Sequence, residues 1–264
     1  MDWFDLAYTT PDVIEKIKKA EQEGRFSDHL DPIEYHGTLP VDESFPYIPN
    51  VFLRAVYAFR KITFLNHFIK SLNEKVLLTK VTGKENLKGV GAAVFICNHV
   101  NKYDALAVNY ALGKRPLKIM VADFNNRPGF LGKMMRADGI LPFKNTRACI
   151  QKFTEAVNYY LSHGTGVLFF PEGSEWWCYK KPRPFMDGAF HFAAANNVPV
   201  VPLFITFRET GRVRDGIDLP EFTVNILNPL YPNSEKTKKE NVRDLKNGAF
   251  DACMKKYEQA YGAE

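Results

Sequence analysis

The sequence lacks the features that mark several protein classes. Its 264 residues hold four cysteines, Cys97, Cys149, Cys178 and Cys253, with no CxxC or CxxH spacing among them. That scatter argues against a disulfide framework or a structural zinc site and fits a reduced, intracellular protein. No apolar run approaches the roughly 18 residues a spanning helix needs. The stretch from Met1 to Thr10 carries Asp2 and Asp5 and lacks the basic-then-apolar form of a signal peptide, so a soluble or peripheral protein is expected. Internal repeats and low-complexity tracts are absent. No basic run interleaved with aromatics points to a nucleic-acid module, and no nucleic-acid partner is expected.

What remains is ordinary globular material with 45% hydrophobic and 25% charged residues, enough to bury a full core. The net charge of +5 and pI of about 8.9 suit an anionic partner such as phospholipid, a phosphorylated substrate or an acidic carrier protein. Prolines at 11, 32, 40, 46 and 49 make residues 1–50 an arm, with one amphipathic helix over 12–23. Val51, Ala55, Ala58, Ile62, Leu65, Ile69 and Leu72 then fall on one helical face, with Phe52 and Phe59 beside it and cations opposite. Such a helix can lie in a membrane interface. A helix packed on the body of the protein has the same periodicity.

From Lys75 short apolar strands alternate with helical segments. The strands are expected at 76–81, 92–97, 117–121, 140–143, 166–170, 200–207 and 222–227, and the helices at 103–112, 128–136, 147–163, 185–196 and 236–261. Alternation of this kind predicts an α/β fold, a mixed and largely parallel central sheet flanked by helices, with an N-terminal helical extension. Residues 1–74 are read as arm and interfacial helix, and 75–264 as the catalytic domain. In such sheets ligands gather beyond the carboxyl ends of the strands, where two segments stand out.

The first is Asn98-His99-Val100-Asn101-Lys102-Tyr103-Asp104, directly after the strand ending at Cys97. With His99 on the turn and Asp104 in the first helical turn, the carboxylate can reach back to one ring nitrogen. That would fix the tautomer and leave the other nitrogen a base. A satisfied histidine beside a first-turn acid is the plain alternative. The second segment is Pro171-Glu172-Gly173-Ser174-Glu175, which places a carboxylate and a glycine at the next strand end.

Together with Gly139-Ile140-Leu141-Pro142-Phe143-Lys144-Asn145 and Val198-Pro199-Val200-Val201-Pro202-Leu203, these segments resemble the four ordered blocks of the glycerolipid acyltransferase family, over about residues 75–230. The resemblance implies a glycerol-3-phosphate acyltransferase-like fold. It also implies transfer of a fatty acyl group from acyl-carrier protein or acyl-CoA to a lysophospholipid hydroxyl, in the manner of bacterial 1-acylglycerol-3-phosphate acyltransferases. His99 would be the base and Asp104 its partner. Asn98, Lys144, Asn145, Arg147, Glu172, Gly173, Ser174, Glu175 and Arg183 would line the substrate site, with backbone N–H groups near Gly173 or a nearby side chain as oxyanion donors. No metal or cofactor is called for, and the protein would sit on the inner face of the cell membrane.

Two blocks depart from the family pattern, because Asn145 and Glu175 stand where arginines that meet the acceptor's phosphate are usual. Neither replaces a guanidinium. Lys144, Arg147, Lys180, Lys181 and Arg183 are the candidate substitutes, unless the acceptor is a different lipid or an amine. Trp176 and Trp177 can line the acceptor site, sit at the interface or simply pack. Two other classes stay open: a metallohydrolase using His99, Asp104 and Glu172 as ligands, and a silent lipid- or carrier-binding protein. Cys178 has no base nearby in sequence to make it a nucleophile.

Overall fold

The computed structural model describes residues 7–30 and 37–262. Asp2, Asp5, Pro32 and His36 lie outside the described residues. The strands are β1 (Lys80–Thr82), β2 (Val94–Cys97), β3 (Leu117–Ala122), β4 (Ile140–Phe143), β5 (Gly166–Phe169), β6 (Val200–Arg208), β7 (Val213–Arg214), β8 (Ile217–Asp218) and β9 (Glu221–Ile226). All but β7 and β8 form one sheet in the order β1-β9-β6-β2-β5-β3-β4. Strands β2 to β6 run parallel, β9 runs antiparallel to β6, and β1 runs parallel to β9. The expected mixed, largely parallel sheet is therefore present, and five carboxyl ends lie along one edge.

The middle strands β2 and β5 are buried throughout because both faces of the sheet are covered. Alternation sends Phe95 and Cys97 to one face, where they join Leu168, Leu203 and Val224. Val94 and Ile96 point to the other, with Val167, Phe169 and Phe190. The helices are α1 (Pro11–Gln22), α2 (Val51–Arg60), α3 (Asn66–Lys75), α4 (Asp104–Leu112), α5 (Gly129–Asp138), α6 (Arg147–Ser162), α7 (Gly188–Asn196) and α8 (Lys238–Tyr261). Side chains of α1, α3 and α4 pack on the first face, and those of α6, α7 and α8 on the second. The arm belongs to this packing, since Val13, Ile17 and Ala20 of α1 share the core cluster of β2 and β6.

Residues 51–75 are helical throughout, but not on one face. A π turn at Lys61–Leu65 joins α2 to α3. Its extra residue per turn rotates the following side chains by about 100°. As a result Leu65, Ile69 and Leu72 are buried, while Val51, Phe52, Phe59 and Ile62 are 64–81% exposed. The single apolar stripe expected from the sequence is thus split, and only its first half faces outward. No helix among the described residues is long and apolar enough to cross a membrane.

Candidate active site

The loop after β2 is held in place by Asn98. Strand β2 ends at Cys97 opposite Leu203, and beyond it the Asn98 side chain continues the ladder. Its Nδ2 donates to Ile205 O (3.0 Å) and its Oδ1 accepts from Ile205 N (2.8 Å). Asn98 is 2% exposed. Both ends of its amide serve the sheet.

This anchoring sets His99 on the turn into α4, whose first residue is Asp104. The carboxylate is wholly buried, and its Oδ2 accepts from His99 Nδ1 (3.0 Å), Val100 N (2.5 Å) and Asn101 N (2.9 Å). Oδ1 has no partner. Burial outweighs these hydrogen bonds and holds the Asp104 carboxyl above its ordinary range. With Nδ1–H pointing at Asp104, Nε2 keeps the lone pair. The imidazole is 26% exposed and stacks on Phe170, ring centres 4.3 Å apart. Phe170 closes the apolar run of β5, and nothing in the sequence set it apart from core.

Below His99 lies a buried ion pair. Glu172 Oε2 accepts from His99 N (3.1 Å) and from Arg183 Nη2 (2.8 Å), while Oε1 accepts from Arg183 N (3.0 Å). Arg183 is 1% exposed. Its guanidinium also donates to His99 O (3.3 Å), Phe26 O (3.1 Å), Ser174 Oγ (2.9 Å) and Ser174 O, and lies over the Trp176 ring. Arg183 and Ser174, both expected at the substrate site, thus sit inside the protein, with the guanidinium engaged by Glu172, His99, Ser174 and Phe26. In the sequence Arg183 stands among lysines and prolines, and no periodicity marks it as buried.

Gly173 has φ +82°, and a Cβ there would stand 1.9 Å from Met186 Cε. Its N–H donates to Phe170 O (3.1 Å), so that amide is not the free oxyanion donor expected near Gly173. Trp176 and Trp177 are buried and donate through Nε1 to Asp28 O (2.9 Å) and Ala7 O (3.0 Å). They pack the arm against the catalytic loops. Glu175 is half-buried beside Cys178. Burial pushes the Cys178 thiol well up, which disfavours a thiolate.

Lys144, Asn145 and Arg147 follow β4. The structure places them on the same carboxyl edge as His99, but three strands away, or about 14 Å. Lys144 is half-buried, and Asn145 and Arg147 are exposed. His99, Asp104 and Glu172 do not converge as metal ligands would, because the first two face each other and the third faces Arg183. Chemically, the arrangement offers a partly exposed imidazole backed by a buried carboxylate.

An acyltransferase family model matches residues 78–206, a span that contains His99, Asp104, Glu172 and Arg183. The chain is 24% identical over 177 residues to a 1-acyl-sn-glycerol-3-phosphate acyltransferase of Haemophilus influenzae, covering 65% of this chain and 71% of the relative. It is 27% identical over 180 residues to the Escherichia coli protein of that name, with coverage of 65% and 68%. Among solved structures, the 1-acyl-sn-glycerophosphate acyltransferase of Thermotoga maritima aligns with a TM-score of 0.47 at 17% identity, covering 77% of this chain and 96% of that one.

Proposed function

We propose that this chain, whose residues 78–206 match an acyltransferase family model, moves a fatty acyl group from a thioester donor to the free hydroxyl of 1-acylglycerol-3-phosphate. The donor is acyl-carrier protein or acyl-CoA. His99 Nε2 takes the hydroxyl proton as the oxygen attacks the thioester carbonyl, and Asp104 stabilises the imidazolium that forms. Collapse of the tetrahedral intermediate releases the thiolate, which regains the proton from His99. The observation that carries this reading is the 3.0 Å bond between His99 Nδ1 and the buried Asp104, made by a ring that keeps 26% exposure. No acyl-enzyme is required, because the acceptor itself supplies the nucleophile.

With Arg183 turned inward, Lys144 and Arg147 are the cations on the catalytic edge best suited to the acceptor's phosphate. Their distance of about 14 Å from β2 leaves room for a glycerol backbone between phosphate and base. The exposed apolar residues of α2, with Arg54 and Arg60 nearby in sequence, support peripheral binding to an anionic membrane, on its cytoplasmic face. The test is to incubate the purified chain with a lysophospholipid panel and each donor type, and to identify the products by mass spectrometry. Phosphatidic acid from lysophosphatidic acid is expected. Acylation of dephosphorylated or amine acceptors at equal rates would overturn the choice of acceptor.

A further inference from the structure

We infer that Arg183 is a positioning residue of this reaction, which it serves by gripping the backbone of His99 through Glu172. The inference rests on the reading of His99 as the base. His99 is held at both backbone ends by a single buried unit. Its N–H donates to Glu172 Oε2 at 3.1 Å, and its C=O accepts from Arg183 Nη2 at 3.3 Å and from Trp176 N at 3.0 Å. Glu172 and Arg183 are joined twice, through Nη2 at 2.8 Å and through the Arg183 backbone N–H at 3.0 Å. The guanidinium also ties in Ser174 and, through Phe26 O, the N-terminal arm.

A carboxylate buried at 3% exposure requires a partner. A planar fork can serve Glu172, His99 and Ser174 at once, whereas an ammonium presents a single point of charge. Asp104 and Phe170 restrain the ring, and Asp104 also ties the backbone N–H groups of Val100 and Asn101, but neither bonds the backbone of His99 itself. The Glu172–Arg183 pair fixes the backbone from which the ring projects, and hence where Nε2 meets the acceptor hydroxyl. A misplacement of about 1 Å at that point can cost a hundredfold in rate. Arg183 therefore acts on turnover and makes no contact with the acceptor's phosphate.

The test is Arg183→Lys, assayed for both substrates in wild-type and Glu172→Gln backgrounds. Arg183→Lys is expected to lower kcat by roughly tenfold or more while leaving both KM values within about twofold. The loss should be much smaller in the Glu172→Gln background, because the two residues hold the His99 backbone as one coupled unit. A raised acceptor KM with kcat unchanged, or an undiminished effect of Arg183→Lys in Glu172→Gln, would overturn the inference. If Arg183→Lys loses its cooperative melt, the near-isosteric Glu172→Gln decides alone: lowered kcat at constant acceptor KM supports the grip, and the reverse refutes it. Failure of the underlying reading shows separately, as activity retained in His99→Ala.

Discussion

Replacing Asp104 with Asn keeps the shape of the site and removes one charge. The amide oxygen can take the place of Oδ2 and accept from Val100 N and Asn101 N, so the turn into α4 has no reason to collapse. What disappears is the attraction between the carboxylate and the imidazolium formed as the acceptor gives up its proton. For unit charges at the observed 3.0 Å this is about 5.5 kcal/mol at an effective dielectric of about 20. Because the proton is only partly transferred in the transition state, a fall in kcat of about a hundred- to ten-thousandfold is expected. The assay is thiol release from the donor at saturating acceptor, with KM values measured alongside. A kcat within about threefold of wild type in folded protein would refute the role assigned to the carboxylate. The same substitution has a stability signature. Burial holds the Asp104 carboxyl above its ordinary range, so the folded protein binds that proton more tightly than the unfolded chain. Wild-type stability therefore loses ground as pH rises through the window between the two values. Asn carries no such cost, and the melting temperature of Asp104→Asn relative to wild type should climb across that window and level off above it. A constant difference would contradict the account of its burial.

Two further substitutions test the parts around the base. Asn98→Ala leaves the N–H and C=O of Ile205 without partners in a buried place and should cost about 2–4 kcal/mol in urea unfolding, with the acceptor KM unchanged; a raised KM without loss of stability would restore a binding role. Glutamate at Phe52, Phe59 and Ile62 together should release the protein from anionic vesicles in flotation without lowering its melting temperature, since all three are more than 60% exposed. Leu65→Glu, at 4% exposure, should instead destabilise the fold. Retention of the triple variant on vesicles would assign membrane binding to another surface.

The parts of this molecule that were legible in the sequence are those whose physics is local. Apolar runs ending abruptly at Cys97 and at Phe170 marked strand ends, and the spacing from His99 to Asp104 fitted a turn into a helix. The Asp215-Gly216 pair, a hairpin signal of the same local kind, carries the β7–β8 turn with φ of +49° and +78°. Other features depended on contacts distant in sequence. Asn98 bonds Ile205 across the sheet, and Arg183 is buried because Glu172, Ser174 and Phe26 surround it. The π turn at Lys61–Leu65 broke a phase that a regular helix would have kept, so Leu65 and Ile69 were grouped with residues that face outward. Trp176 and Trp177 met carbonyls of an arm whose path no pattern revealed.

The central claim is that His99 is the base for acyl transfer, and His99→Ala tests it most directly. The imidazole is partly exposed and its backbone bonds to Glu172 and Arg183 survive the substitution, so the variant should fold with a melting temperature close to wild type. Incubated with lysophosphatidic acid and acyl donor, it should form phosphatidic acid at least about a thousandfold more slowly, as expected when a positioned base is removed. Product formation by the folded variant within about tenfold of the wild-type rate would contradict the mechanism.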